Sequence, residues 1–369
     1  MEPEHLESLY PKDSRSKEIE KILSFVREGN SCQLIAMPGA GRGNLLNCIA
    51  YNTNLRKFHL GEVDYLKYHF VLANFSEVKN RPLIDIMKFL FLEFSSSLHE
   101  RRFEEEFAVV DSMFKDALSY NDELVLFQGL KKAVEYLTLE KGITVVFLLE
   151  RFETYVPLVT QDFFNNLRSI RNKAKYKFSV VFSVTRALED SLESSLLADF
   201  FEFVTDHHVY MDLLDKSGLD FRLSHLEKIT GKKLSEEIVE NILDLTQGHG
   251  KLTRLCLEIA SSTSFSQSKD TEHFFLSHKS IRGANFEIWN FLTPDEQNDV
   301  FACIKGEKIT NSFLENISLL KNGKVSIPLF STFVKENLTE EVLGEQHISY
   351  DIQTNTITKA HQVLSDSLT

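Results

Sequence analysis

Ala36-Met37-Pro38-Gly39-Ala40-Gly41-Arg42-Gly43 lies between an apolar run and a helical pattern, and its reading decides the fold. A glycine-rich turn of this kind wraps backbone N–H groups around phosphate at a helix N-terminus. A lysine then reaches the outer phosphates and a hydroxyl binds magnesium. Against G-x-x-x-x-G-K-[ST], Ala36 stands for the first glycine, Gly41 is kept, Arg42 replaces the lysine and Gly43 replaces the hydroxyl residue. Pro38, Gly39, Ala40, Gly41, Arg42, Gly43 and Asn44 are the phosphate-contact candidates. Arg42 keeps the positive charge, although a planar guanidinium does not reproduce an ammonium. The plain alternative is a glycine-rich turn with no ligand.

Outward from this loop, apolar runs at residues 33–37, 68–74, 143–149, 178–185 and 208–213 read as strands. Residues 17–28, 44–51, 82–98, 123–140 and 161–173 carry apolar positions three and four apart and read as helices. Nearly all-apolar strands alternating with helices predict an α/β fold, a parallel sheet covered on both faces, over residues 1–213. Residues 214–270 read as a small helical domain punctuated by Gly231 and Gly248-His249-Gly250, with a Ser-rich exposed linker at 262–269. Residues 271–338 begin a further unit. There Thr293-Pro294-Asp295-Glu296 is a capped helix start, 312–320 a second helix, and Asn322-Gly323 a hairpin turn, the pattern of a C-terminal winged helix. Residues 339–369 read as a C-terminal β segment, incomplete as a domain.

The chain has 369 residues, 43% hydrophobic with 30 Phe, enough for two or three packed units. Its formal charge of −13 opposes broad attraction to nucleic acid or anionic lipid, so any DNA contact must be local. Cys32, Cys48, Cys256 and Cys303 show no metal spacing and read as buried thiols of a reducing compartment. The amino terminus lacks an apolar leader and the longest apolar run is far too short to span a bilayer. A cytoplasmic protein with no membrane contact is the expectation.

The strand at 143–149 ends in Glu150-Arg151-Phe152-Glu153. In phosphate-cleaving sites the first acid after such a strand holds magnesium and the next orients water. Glu150 is the candidate for the metal, and Glu150 and Glu153 are the catalytic candidates. Arg151 stands at the water-orienting position and cannot act as a base, so efficient hydrolysis is not expected. The alternative for the two acids is a solvated pair at a strand end. Thr185 and Arg186 close the fourth run, where polar tips face a ligand at the carboxyl edge of a sheet; for Arg186 the alternative is a surface cation.

Together these residues resemble the AAA+ and STAND class of P-loop ATPases, over residues 10–337, in an initiator-like layout of ATPase core, helical lid and winged helix. The resemblance implies that Ser14, Arg15 and Glu18, in Pro11-Lys12-Asp13-Ser14-Arg15-Ser16-Lys17-Glu18-Ile19, match a Gly-Arg-Glu-like motif near adenine. Leu245-Thr246-Gln247-Gly248-His249-Gly250 resembles the lid's Gly-Gly-His-Pro motif, with Gly250 in place of Pro. This makes His249 a nucleotide contact by resemblance; a packed histidine is its plain reading. Trp289 to Gln297 and Pro328-Leu329-Phe330 are similar in pattern to STAND winged helices. The tail resembles the leading strands of a response-regulator-type DNA-binding domain, which implies that the sequence stops inside that domain.

The function these readings imply is a nucleotide-binding regulatory switch with slow or no hydrolysis. ATP or ADP, with magnesium, is the implied cofactor, or none if the site is a vestige. Two alternatives stand beside it: an active ATP hydrolase using Glu150 and Glu153, and a DNA-binding transcription regulator. Against the latter, Lys305, Lys308, Lys321, Lys324 and Lys335 are matched by Asp295, Glu296, Asp299, Glu307, Glu315 and Glu336. The winged-helix part has no basic surplus and reads as a packing or protein-contact module. DNA contact falls to the missing C-terminal domain, and a protein partner or self-association is expected.

Overall fold

Five strands with buried, mostly apolar side chains form one sheet in the computed structural model, which describes residues 5–262 and 271–337. β1 (Cys32–Ile35), β2 (Tyr68–Asn74), β3 (Thr144–Glu150), β4 (Phe178–Val184) and β5 (His208–Tyr210) lie in the order β2-β3-β4-β1-β5. Every pairing is parallel, with Tyr68 opposite Thr144, Val145 opposite Phe178 and Cys32 opposite Val181. The chain leaves β1, crosses to the far edge at β2, and fills back through β3 and β4. The carboxyl end of β1 is therefore a topological switch point, where a crevice opens.

The α/β expectation holds, with shifted boundaries. Pairing in β1 stops at Ile35 because Ala36 and Met37, though buried, turn into the loop, and β5 stops at Tyr210. α1 (Ser16–Arg27), α2 (Arg42–Tyr51), α3 (Thr53–Leu60), α4 (Leu83–Glu100), α5 (Glu104–Leu118), α6 (Glu123–Glu135) and α7 (Gln161–Ala174) surround the sheet, followed by the single turns α8 (Leu188–Ser191) and α9 (Ser194–Leu197). The sequence pattern did not predict α5, which buries only Val110, Phe114 and Ala117 and so carries a thin apolar stripe. The helix expected through 140 ends at Glu135 and continues as a π-helical turn, Tyr136–Glu140. Interlocked aromatic rings fill one side of the core: Phe152 packs 4.9 Å from Phe182 and 5.1 Å from Phe75, all three fully buried.

After β5 the chain is helical: α10 (Lys216–Thr230), α11 (Glu236–Thr246), α12 (Gly250–Ser262), α13 (Thr271–Leu276) and α14 (Lys279–Phe291). Gly231 ends α10 in the left-handed region at φ 67°. Then come α15 (Pro294–Lys305), α16 (Ser312–Asn316), the hairpin β6 (Leu320–Lys321) and β7 (Lys324–Val325), and α17 (Pro328–Asn337). α15 begins with the reciprocal Thr293–Glu296 capping box. Asn322 and Gly323 both take positive φ, 53° and 69°, as a two-residue hairpin turn requires. α16 is shorter than the predicted 312–320. The linker at 263–269 and the segment 339–369 lie outside the described residues.

Candidate functional site

The loop after β1 combines two left-handed glycines with the start of a helix. Gly39 has φ 78°, and Gly41, the N-cap of α2, has φ 110°. A Cβ on Gly39 would come within 2.8 Å of the His249 ring and 2.9 Å of Lys251 Cβ, so glycine is needed there for space as well as for conformation. The loop, the end of β3, the segment around Tyr10 and helices α10 and α12 enclose a cleft of about 870 Å³. Pro38 to Asn44, Arg15, Glu150, Glu153 and Thr185 all line it. Arg186 and His249 do not appear on its walls.

Arg42 is not extended into open space. Its guanidinium grips Glu153 through both nitrogens, Nη2–Oε1 at 2.6 Å and Nη1–Oε2 at 3.4 Å, with the Arg42 side chain only 10% exposed. Glu150 fills the space beside Gly43: its Oε1 occupies the place a Cβ there would take, and its Cδ would lie 3.2 Å from that atom. A serine or threonine at 43 would meet this carboxylate, which would have to swing aside to admit it. Burial raises the Glu150 pKa above the usual carboxylate value; Arg151 and Arg42 oppose that rise and Glu153 adds to it. Arg151 takes φ 54° to turn the chain out of β3 and is exposed.

A magnesium ion is the metal such a loop implies. Among the described residues no group of three or more His, Cys, Asp or Glu could hold a metal by protein ligands alone. The donor set suits an ion shared with phosphate oxygens, for which Glu150, a part-buried carboxylate with a raised pKa, is the one protein ligand in the expected place.

The other predicted residues have other partners. Arg15 donates to the carbonyls of Leu213, at 3.0 Å, and Asp212, and pairs with Glu18 at 3.1 Å, tying the α1 start to the chain leaving β5. Ser14 donates to Asp215. His249 is fully buried; its Nε2 donates to Pro38 O at 2.9 Å and its Nδ1 accepts from Leu252 N at 3.3 Å. Both ring nitrogens are thus used, and burial pushes its pKa down to about 4. In this arrangement the ring braces the loop from behind, the packed reading, and offers nothing to a ligand. Lys251 N donates to Gly39 O at 2.8 Å beside it, and a Cβ on Gly250 would lie 3.0 Å from both the Gly39 and Ala40 carbonyls. The start of α12 is therefore docked on the loop through the loop's carbonyls, and Gly250 and Lys251 share the cleft wall with residues 38–44.

Arg186, expected to face phosphate, turns away from the cleft. It donates to Glu296 Oε1 at 2.8 Å and Phe291 O at 3.2 Å, and lies over the rings of Phe291 and Phe313 at 4.9 and 4.6 Å. Cation–π stacking and a charge pair fasten the end of β4 to the C-terminal helices. Burial disfavours the charged Glu296, but Arg186 and Thr293 outweigh it and hold the carboxyl below its usual value.

Sequence reading missed one side of the cleft. Tyr10 packs 4.4 Å from Phe221, and its hydroxyl accepts from Arg222 Nε at 2.6 Å and Asn44 Nδ2 at 3.4 Å. Leu6, Leu219, Leu226 and Leu257 complete an apolar wall. These residues come from the N-terminal segment and helices α10 and α12 and form no local pattern, so no sequence signal marked them.

No known protein family's profile matches the chain, and no curated protein matches it. Solved structures do. A Walker-type ATPase, PABY2304 of Pyrococcus abyssi, superimposes with a TM-score of 0.51 at 14% identity, over 90% of this chain and 97% of that one. Cdc6p from Pyrobaculum aerophilum matches with a TM-score of 0.39 at 12% identity, over 90% and 94%. The first likeness concerns the fold alone: an α/β chain with a parallel five-stranded sheet, superimposing on a Walker-type ATPase.

Proposed function

We propose that this chain is a nucleotide-responsive switch, binding ATP or ADP between the phosphate loop and the helical lid, with hydrolysis slow or absent. The observation that carries the reading is the two-sided loop. Its amides and the N-terminus of α2 border the cleft, whereas the Pro38 and Gly39 carbonyls are held by His249 and Lys251 of the lid. Phosphate binding on one side would shift the carbonyls on the other, biasing the lid between two arrangements.

The cleft volume falls within the range of small-molecule sites. Its apolar wall, with Tyr10, Leu219 and Leu226, suits a base, and Arg42 suits the outer phosphates. Magnesium, when bound with nucleotide, would neutralise phosphate charge beside Glu150. The missing hydroxyl at Gly43 and the exposed Arg151 support weak hydrolysis. Residues 1–213 act in this reading as the nucleotide-binding unit, 214–270 as the lid and 271–338 as a winged helix. The winged helix is coupled to the sheet through Arg186 and serves protein contact or self-association.

Titration of the purified protein with a fluorescent ATP analogue tests this directly. Saturable micromolar binding, weakened at least tenfold by Arg42→Ala, is the expected result; no binding at millimolar nucleotide would remove the proposal. The active-hydrolase reading has one observation in its favour, since Glu153 lines the same cleft. It requires phosphate release that Glu153→Gln abolishes.

A further inference from the structure

The acidic chain carries one strongly basic stretch, far from the cleft. From residue 163 to 188 there are six Arg or Lys and no acid, within a protein of formal charge −13; five of them fall between residues 168 and 177, and the sixth, Arg186, follows β4 at the opposite edge. The three-residue turn Lys175–Lys177 immediately precedes β4, so the end of α7 and this turn stand at the amino edge of the parallel sheet. The phosphate loop stands at the carboxyl edge. Gly29 before β1 and Gly142 before β3 lie at the same edge: Lys177 Nζ donates to Gly142 O at 3.3 Å, and Tyr176 packs against Gly29.

Two of the six bases are used internally. Arg171 stacks on Phe203, 3.5 Å from its centroid, and donates to Gly29 O, and Arg186 is held by Glu296. Lys173, Lys175 and Lys177 are exposed. A groove of about 460 Å³ between α6 and α7 is lined by Lys131, Asn165, Arg168, Ser169, Asn172 and Lys173, without a carboxylate or an apolar side chain. Residues 165, 168, 169 and 172 fall on one helical face. Lys175 and Lys177, just beyond the groove residue Lys173 in the chain, are exposed, and Tyr176 between them is 70% exposed although its backbone is pinned at Gly29.

We infer that this edge binds the phosphate backbone of single-stranded nucleic acid, with Tyr176 as a stacking platform. Cations along a narrow groove match spaced phosphates, amides and hydroxyls serve phosphate and sugar oxygens, and an exposed ring accepts any base. A protein partner would call for apolar anchors, and an anionic membrane for an inserted apolar face; the groove has neither. The acidic remainder of the surface confines contact to this edge and makes it salt-sensitive. Three or four lysine contacts predict a log–log salt slope of roughly −2 to −3 for a single strand, a loss of about 20- to 50-fold between 50 and 200 mM salt.

The test is fluorescence anisotropy of a labelled oligo-dT 20-mer with the full chain. Saturable binding at 50 mM salt is expected, with that slope. Lys173→Ala/Lys175→Ala/Lys177→Ala should abolish it and Tyr176→Ala should weaken it about fivefold or more; all four side chains are exposed, and an unchanged thermal unfolding midpoint checks that each variant is folded. Arg42→Ala should leave it unchanged. No saturable binding, binding indifferent to the triple variant, or loss with Arg42→Ala overturns the inference. Equal competition by polyglutamate or by anionic vesicles, with Tyr176→Ala silent, overturns it in favour of a general polyanion face.

Discussion

Replacing Glu153 by glutamine should tighten nucleotide binding, because Arg42 would no longer be held by a carboxylate. In the free protein both oxygens of Glu153 engage the guanidinium, the shorter contact at 2.6 Å, with side chains 10% and 27% exposed. Fully exposed pairs contribute about 0.2–1 kcal/mol, and hydrogen bonds to charged groups about 1.5–3 kcal/mol. This pair lies between these limits, so about 1–2 kcal/mol is a fair figure for the cost of freeing Arg42 toward phosphate. Glutamine keeps the shape and removes the charge, and it also removes a carboxylate's repulsion of a polyphosphate. The expected gain is about 5- to 30-fold in ATP affinity. It would be read by titrating wild type and Glu153→Gln with a fluorescent ATP analogue at fixed low salt. Unchanged or weaker binding in the variant, with wild-type binding intact, would refute the reasoning: Arg42 would then not be the phosphate contact, or Glu153 would itself serve the ligand.

Gly43→Ser should destabilise the protein by about 1–2 kcal/mol in urea unfolding, since overpacking against Glu150 costs more than the roughly 0.5 kcal/mol that serine gains over glycine in a helix. Adding Glu150→Asp, one methylene shorter, should recover most of the loss; no loss in the single variant would show that the carboxylate yields freely. Arg186→Ala should lower stability by about 2–3 kcal/mol, because it leaves Glu296, 10% exposed, without its cation and strips two aromatic faces. Lysine at 186 should recover only part, as it cannot pair through two nitrogens, and full recovery would count against the bidentate geometry. His249 is neutral when folded, its pKa depressed to about 4 from 6.5. Its contribution is complete above pH 6.5 and is lost as pH falls from 6.5 toward 4, up to about 3 kcal/mol. The stability difference between wild type and His249→Gln should shrink across that window, and a pH-independent difference would contradict the buried neutral ring.

Local rules made much of the fold legible in the sequence. Nearly all-apolar stretches such as Phe178–Val184 announced a sheet covered on both faces, and Thr293 with Glu296 announced a helix start. Asn322-Gly323 announced a hairpin because positive φ is cheap for those two residues. The glycine-rich turn between β1 and α2 was legible for the same reason: its glycines and the following helix lie within eight residues. α5 escaped, since three buried side chains in fifteen residues leave a weak period.

What the sequence by itself determined, then, are features whose causes lie within a turn or two of chain. The tertiary structure decided what the charged residues do. Arg42 and Glu153 are 111 residues apart, Arg186 and Glu296 110, and His249 and Pro38 211. Arg42 meets a carboxylate, Arg186 leaves the cleft for the C-terminal helices, and His249 supports the loop from behind. Glu150 fills the space that Gly43 leaves open. Periodicity specifies which face of a helix is buried but not which charge awaits it there. A long polar side chain takes the nearest partner that satisfies it as it is desolvated, and that partner is set by how whole elements pack.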